Sequence, residues 1–535
     1  SRPEWTMDYA RGRLADERRR LDQLRFADLD VRASFMLSYR ELSDEQALLF
    51  RRLGIVPGPS FGVDLACAVG AGVLIGPGST LLRGLTLPKG IDSPLAPGDD
   101  DLRYEVEKLL EDLRDAQLLE PANTPGRYRF HDLLLLFARD LLSRADEASE
   151  ILVRLMFWAG FVAACTRVWT DRLDLPDQAT TVEQRASGFA SRQEAFEWFE
   201  NEREHLVAAV RLAAEFRMDD QAVLLAKALA VLFRLRGYWD DWLATCTTAI
   251  ADARRREDHE TEAVLLETLG TCLQDRMRHA DAVPHLERSV QLADQFGTWH
   301  LQVKARASLA QCHLELGRGD EAERLLSVAE KLLAKNAGPD DNWLLLAYIT
   351  SARAIYDEHI GRIGDAQRGH ERVLELCRRA RDPLGQVTCM NRLGRIHLRL
   401  GRPKRAVEYL EASRKLGKGL SGFFTDTDAV HNLAFAYHLL GDHQQALELF
   451  EQAASAYHRY RLPALEAQTL HERGGVFAVL RRWDDAAHCW RRADELLRDV
   501  TTSQAEDLRT RFERERSSWR TCVPWVVSRG DACSL

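Results

Sequence analysis

Between Ala230 and Ala493 apolar residues return every three or four positions, the helical period, and small residues return on a longer one. Ala282, Ala322, Ala366, Ala406, Ala446 and Ala486 stand 40, 44, 40, 40 and 40 residues apart, with Trp242 a further 40 upstream. Twelve residues before each lies another small residue: Ala230, Gly270, Ala310, Ala354, Gly394, Ala434 or Gly474. Turns such as Leu316-Gly317-Arg318, Leu400-Gly401-Arg402 and Leu440-Gly441-Asp442 separate the two positions. The pattern predicts seven pairs of antiparallel helices. Small residues let the paired helices approach, and Leu286, Leu326, Leu410, Phe450 and Trp490 fill the holes that remain. One pair cannot bury its apolar face alone, so neighbouring pairs must stack into a solenoid.

Upstream the rhythm changes. Residues 1–35 read as helix, including the arginine run 18–20 on a solvated face. Residues 36–145 read as a helix capped by Ser43 with Glu45 in its first turn, a second over 62–69 and a third over 102–117. Two short strands follow, around 118–120 and 127–130, then a helix from 133 to 142. Three helices and a β-hairpin are the winged-helix order. Residues 70–98 interrupt this domain as an inserted loop rich in glycine and proline. Residues 146–215 form a helical connector. The repeats occupy 216–500, and 501–535 are a polar capping helix and tail. The fold class is therefore mainly α: a winged helix with a small hairpin, then an α-solenoid.

Composition narrows the chemistry. Of 535 residues 45% are hydrophobic and 29% charged, with 73 basic against 82 acidic side chains and a net charge of −9. That balance argues against nucleic acid as the main partner. A winged helix can read DNA with its third helix, but residues 101–120 hold seven acidic and three basic side chains, which a polyanion would repel. The ten cysteines form no Cys-x-x-Cys pair, and are expected as buried thiols in a reducing cytosol. The most apolar stretch, 155–166, is too short to span a bilayer, so a cytoplasmic location is expected. Because the chain begins at Ser1, it is expected to be processed or the C-terminal piece of something longer.

No enzyme constellation emerges. The glycines at 70–78 lack the Gly-Lys-Ser/Thr of a phosphate loop, His471-Glu472 lacks a second histidine for a zinc site, and no Gly-x-Ser-x-Gly elbow occurs. No metal is expected. The remaining candidate is the face that the first helix of each pair turns into the groove: Asn391, Arg395, His431, Phe435, His438 and His471. Those side chains are either ordinary solvated lining or a docking surface for a protein or small-molecule ligand.

The repeat resembles the tetratricopeptide repeat in a long form, about 40 rather than 34 residues. The whole chain resembles the C-terminal part of the NB-ARC, or STAND-class, tetratricopeptide regulators of actinobacteria, which include the larger antibiotic regulatory proteins. The stretches that carry the likeness are Leu-Ala-Asp-Glu-Arg-Arg-Arg-Leu at 14–21, Asp-Val-Arg-Ala-Ser-Phe at 30–35, and Leu-Ser-Tyr-Arg-Glu-Leu at 37–42. Leu-Phe-Arg-Arg-Leu-Gly at 49–54, Gly-Arg-Tyr-Arg-Phe-His-Asp-Leu at 126–133 and Ala-Phe-Glu-Trp-Phe-Glu-Asn-Glu-Arg at 195–203 complete it.

The resemblance implies that residues 1–35 end a helical domain following a nucleotide-binding fold, and that Phe130-His131-Asp132 stands where the family has Met-His-Asp. There the histidine meets the β-phosphate of ADP, so His131 and Asp132 become nucleotide-sensing candidates. The phosphate loop, the Walker-B acids and any DNA-binding domain would lie upstream of Ser1. This chain alone is then expected to hold no cofactor and to catalyse nothing; ADP or ATP would bind only with an upstream nucleotide-binding domain. The expected role is the sensor half of a signal-transduction ATPase, with a homo-oligomer on activation, no direct nucleic acid and no membrane partner. The alternative is a stand-alone tetratricopeptide scaffold for protein–protein contacts.

Overall fold

The computed structural model describes residues 25–26, 29–56, 58–70, 100–145, 147, 151, 155, 158, 159, 189, 191–218, 221–336, 343–380, 382–418, 424–498, 500 and 503–522. They fall in two units, residues 1–169 with 177–228, and residues 170–176 with 229–535.

The first unit opens on a short antiparallel pair, β1 (Arg25–Phe26) and β2 (Leu29–Asp30), followed by α1 (Val31–Arg40). This corrects the expected helix before residue 31, while residues 31–35 are helical as expected. Residues 25–26 and 29–30 are extended, and Asp30, a residue type that favours helix starts, directly precedes α1. The expected helix over residues 1–24 and the inserted loop after Gly70 lie outside the described residues.

Ser43 and Gln46 form a reciprocal capping box at the start of α2 (Asp44–Leu53). Leu49, Phe50 and Leu53 of α2 are buried. After α2 come β3 (Phe61–Gly62), α3 (Val63–Gly70), α4 (Asp100–Asp115), β4 (Glu120–Pro121), β5 (Arg127–Arg129) and α5 (Asp132–Ala145). The strands form an antiparallel sheet in the order β3-β5-β4. The hairpin is the expected one. The third strand, β3, is two residues long, too short for alternation to reveal. Pro121 sits on the edge strand β4, where its missing N–H costs no ladder bond. Helix α6 (Arg192–Glu215), capped by Ser191, follows.

The array begins in α7 (Gln221–Arg236) and continues through α8 (Trp239–Arg255), α9 (His259–Asp275), α10 (His279–Phe296), α11 (Trp299–Glu315) and α12 (Gly319–Asn336). It runs on through α13 (Trp343–His359), α14 (Ile363–Arg379), α15 (Pro383–Arg399), α16 (Pro403–Lys418), α17 (Phe424–Leu440), α18 (His443–Arg459), α19 (Pro463–Val479) and α20 (Trp483–Arg498). The turn inside each pair is closed by a left-handed residue: Gly237, Met277, Gly317, Gly361, Gly401, Gly441 and Arg481. Glycine is the usual choice there; Met277 and Arg481 hold the same conformation against a Cβ.

The small residues do what their spacing requires. A Cβ added to Gly394 would lie 2.5 Å from Leu410 Cγ, and one added to Gly270 would lie 2.5 Å from Leu286 Cγ. Helix α21 (Ser503–Cys522) covers the last pair, burying Ala505, Leu508 and Phe512 against Ala467, Ala493 and Leu497. The second unit also winds back on itself: Arg461 Nη1 lies 3.8 Å from Asp240 Oδ2, and Tyr460 packs on Gly237. No described helix is long and apolar enough to cross a membrane.

Candidate functional site

In the first unit an aromatic cluster sets the position of His131. Phe130 packs edge-on against Phe50 with ring centroids 5.5 Å apart, and lies 5.9 Å from Phe61. That anchors the residue before His131 in the core and leaves His131 and Asp132 exposed where β5 gives way to α5. The His131 carbonyl accepts the first bonds of α5, from the N–H groups of Leu134 (2.9 Å) and Leu135 (3.0 Å). Its Nδ1 accepts from Leu133 N–H at 3.4 Å. With Nδ1 an acceptor, a neutral imidazole carries its proton on Nε2, a donor at a helix N-terminus.

Behind this corner lies a group the sequence did not single out. Arg127 of β5 pairs with Glu202 of α6 and donates to Ser60 O at 2.9 Å. His205 Nδ1 lies 3.0 Å from the other Glu202 oxygen. Burial would raise the Glu202 carboxyl, but His205 and Arg127 outweigh it and hold it below the usual carboxylate range. The strand bearing Tyr128 and the corner after it is thus tied to the connector helix.

In the array, the first helices of successive pairs are joined by polar contacts. Glu267 of α9 is 1% exposed. It takes Lys304 Nζ at 2.7 Å and Ser308 Oγ at 2.9 Å from α11, and Ser308 in turn meets Tyr348 OH of α13 at 2.8 Å. Burial would lower the Lys304 ammonium, and Glu267 outweighs that and raises it. Further along, Glu358 of α13 accepts from Arg399 of α15 at 2.7 Å and lies 3.6 Å from Arg395. Asn432 Nδ2 of α17 donates to Asn391 Oδ1 of α15 at 2.8 Å.

The last pairs form one chain of charges. His431 Nδ1 is 3.0 Å from Thr469 Oγ1, and its Nε2 is 3.2 Å from Glu472 Oε2. The Thr469 hydroxyl also donates to Leu465 O at 2.8 Å. Arg511 of α21 bridges Glu472 (3.5 Å) and Glu515 (2.8 Å), and Glu515 reaches His471 Nε2 at 2.9 Å. Burial pushes the Glu472 carboxyl up, but His431, Gln468 and Arg511 overcome it and hold its pKa at about 2.

The six groove candidates therefore have different places. Asn391 and Arg395 lie on the stretch just described, and His431 belongs to the chain of charges. His471 is buried and stacks on Phe512, rings 3.8 Å apart. Phe435 packs against the apolar core of the last pairs. His438 meets His443 across the turn, Nδ1 to Nδ1 at 3.2 Å, and burial followed by the His443 charge lowers its pKa. Arg392, Asn432 and Glu472, each one residue beyond a candidate, belong to the same face. No cluster of three His, Cys, Asp or Glu among the described residues is placed to hold a metal ion. Cys246, Cys312, Cys377 and Cys389 are buried, and burial pushes their thiols to about 12.

Paired helices, recurring small residues and shared inner faces build a solenoid of tetratricopeptide type, and family models described as tetratricopeptide repeats match residues 260–335, 343–418 and 427–460. The chain is similar to regulatory protein AfsR of Streptomyces griseus, 27% identical over 514 residues, covering 87% of this chain and 48% of that protein. It is 26% identical over 416 residues to regulatory protein AfsR of Streptomyces coelicolor, covering 76% of this chain and 34% of the relative. The chain thus spans half or less of the length of these regulators. A solved STAND protein with a tetratricopeptide-repeat sensor from Pyrococcus horikoshii aligns over 93% of this chain and 66% of its own, at 14% identity and TM-score 0.49.

Proposed function

We propose that this chain is the sensing half of a cytoplasmic NB-ARC regulator of transcription. The observation that carries the reading is the likeness across 87% of the chain to a regulatory protein of which it spans 48%. In this reading the inner face of the array takes a peptide or protein ligand. The N-terminal helices and sheet, in winged-helix order, pass that event to a nucleotide-binding domain supplied upstream. The exposed Nε2–H of His131 would meet the β-phosphate of ADP, which needs no metal or cofactor in this chain. The Arg127–Glu202–His205 group supports the relay, since it links the strand before His131 to the connector. Such coupling requires two states that both sites bias.

The test is His131→Ala in the longer protein. ADP retained through purification is expected to fall about tenfold, the scale of one lost charge-assisted hydrogen bond, with basal signalling raised. Unchanged ADP retention and unchanged basal output would sink the switch.

A further inference from the structure

The edge of the array at which each first helix turns into its partner changes character toward the end of the chain. Two residues precede each left-handed turn residue. In the five pairs that begin with α7, α9, α11, α13 and α15, at least one of the two is polar: Arg236, Asp275, Glu315, His359 or Arg399. In the last two pairs both are aliphatic, Leu439-Leu440 ahead of Gly441 and Val479-Leu480 ahead of Arg481. All four are 40–47% exposed. A single exposed apolar side chain is ordinary, but four on neighbouring repeats form a lip that another surface can cover.

The end of α21 lies beside this lip. Arg511 of α21 meets Glu472 of α19 and Glu515 meets His471, 39 and 44 positions apart, much as Asn432 of α17 meets Asn391 of α15, 41 apart. Helix α21 therefore continues the frame as the first helix of an eighth pair. Its residues 519–520 stand where Val479-Leu480 stand for α19, and it ends at Cys522 on the same edge.

The sequence then runs Val523-Pro524-Trp525-Val526-Val527, five apolar residues directly after a helix rich in charge. Pro524 disfavours helical backbone at Val523, and valine and tryptophan suit an extended chain. Packed helices lie roughly 8–10 Å apart, and an extended chain rises about 3.3 Å per residue. Trp525 can thus reach the lip on α19, and Val527 comes close to α17.

We propose that residues 523–527 fold back across the end of the array as a strap and cover the lip formed by Leu439, Leu440, Val479 and Leu480. Tethered a few residues from its seat, the strap has a high effective concentration there and holds the lip against a free partner. The lip lies at the edge of the array, so the strap is independent of what the inner face binds.

Hydroxyl-radical labelling of the full chain, read by mass spectrometry, compares Val479 with Val328 of α12, the same residue type at the same 43% exposure. Val479 is expected to be labelled several-fold more slowly than Val328 in the parent. Trp525→Asp should bring the two rates together, and Trp525→Phe should keep them apart. Equal labelling of Val479 and Val328 in the parent overturns the strap. Protection that Trp525→Asp leaves intact overturns it as well: a second copy covers the lip where dilution removes that protection, and another part of the chain covers it where dilution does not.

Discussion

Two stretches of the same helical face were built to different rules. Around α9, α11 and α13, the buried carboxylate of Glu267 is met by Lys304 and Ser308, and Tyr348 completes the row. Around α15 and α17, Glu358 serves Arg395 and Arg399 and buried Asp428 also faces Arg395, while among the described residues Arg392 makes no direct ion pair and Asn391 and Asn432 keep one bonding group each unpaired. The first stretch spends its polar groups on joining repeats. The second holds some in reserve, and a reserve on an inner face is what a ligand needs. The comparison is energetic, so stability measurements can break it.

The largest effect is expected in the saturated stretch. Glu267→Ala leaves the Lys304 ammonium without its carboxylate and turns Ser308 to Tyr348 OH as its remaining acceptor. Breaking a buried ion pair from one side costs about 3–5 kcal/mol, and Lys304, 46% exposed at its side chain, puts this case at the low end. Urea unfolding of the full chain measures it. A loss under about 1 kcal/mol, the value of an exposed pair, would show that the row only decorates the repeats.

The second effect separates the stretches by pH. His370 of α14 stands four residues after Ala366, in the slot that Leu286, Leu326, Leu410, Phe450 and Trp490 fill elsewhere. It is fully buried, and among the described residues neither ring nitrogen has a hydrogen-bond partner. Burial first, then Arg392, lowers its pKa from 6.5 to about 3. The folded chain therefore resists a proton that the unfolded chain accepts. The stabilisation is complete above pH 6.5 and is lost as pH falls toward 3. The slope for one such group gives about 3 kcal/mol between pH 6.5 and 4. His370→Leu should flatten the melting temperature over that range and raise it at pH 5. An unaltered acid slope in the variant would assign it to other buried histidines, such as His279 or His313, whose pKa values burial also lowers.

How much of this was legible follows from the same residues. The 40-residue spacing revealed the array because packing two helices closely admits only small residues at Gly270, Gly394 and Gly474, whatever else changes. The period also put Asn391 and Arg395 on the side of α15 that meets α17 and α13. It did not single out Arg392 or Asn432, because helical spacing fixes a face about 100° wide, and the state of each group on it depends on the next repeat. For the same reason it could not foresee that His438 would meet His443, or that α21 would cover His471. Glu202 was quoted in the sequence only within a motif; its partner Arg127 lies 75 positions away, a pairing that no local pattern encodes.

The smallest effect is the most diagnostic. Replacing Arg392 by glutamine removes a charge that no carboxylate among the described residues pairs with directly; Glu358 loses a nearby cation but keeps Arg395 and Arg399. What disappears is the cost of holding a cation beside Arg395 under partial burial; what is lost in return is the packing of the guanidinium stem, which glutamine largely keeps. These terms nearly cancel, and Arg392→Gln is expected to leave unfolding free energy within about 0.5 kcal/mol of the parent or slightly above it. Glu267→Ala, on the same face, is expected to lose several times that. A loss above about 2 kcal/mol for Arg392→Gln would mean that the guanidinium has a partner within the fold, and the two stretches would then differ only in which residues close them. A neutral result would mark the charge as kept for something other than folding.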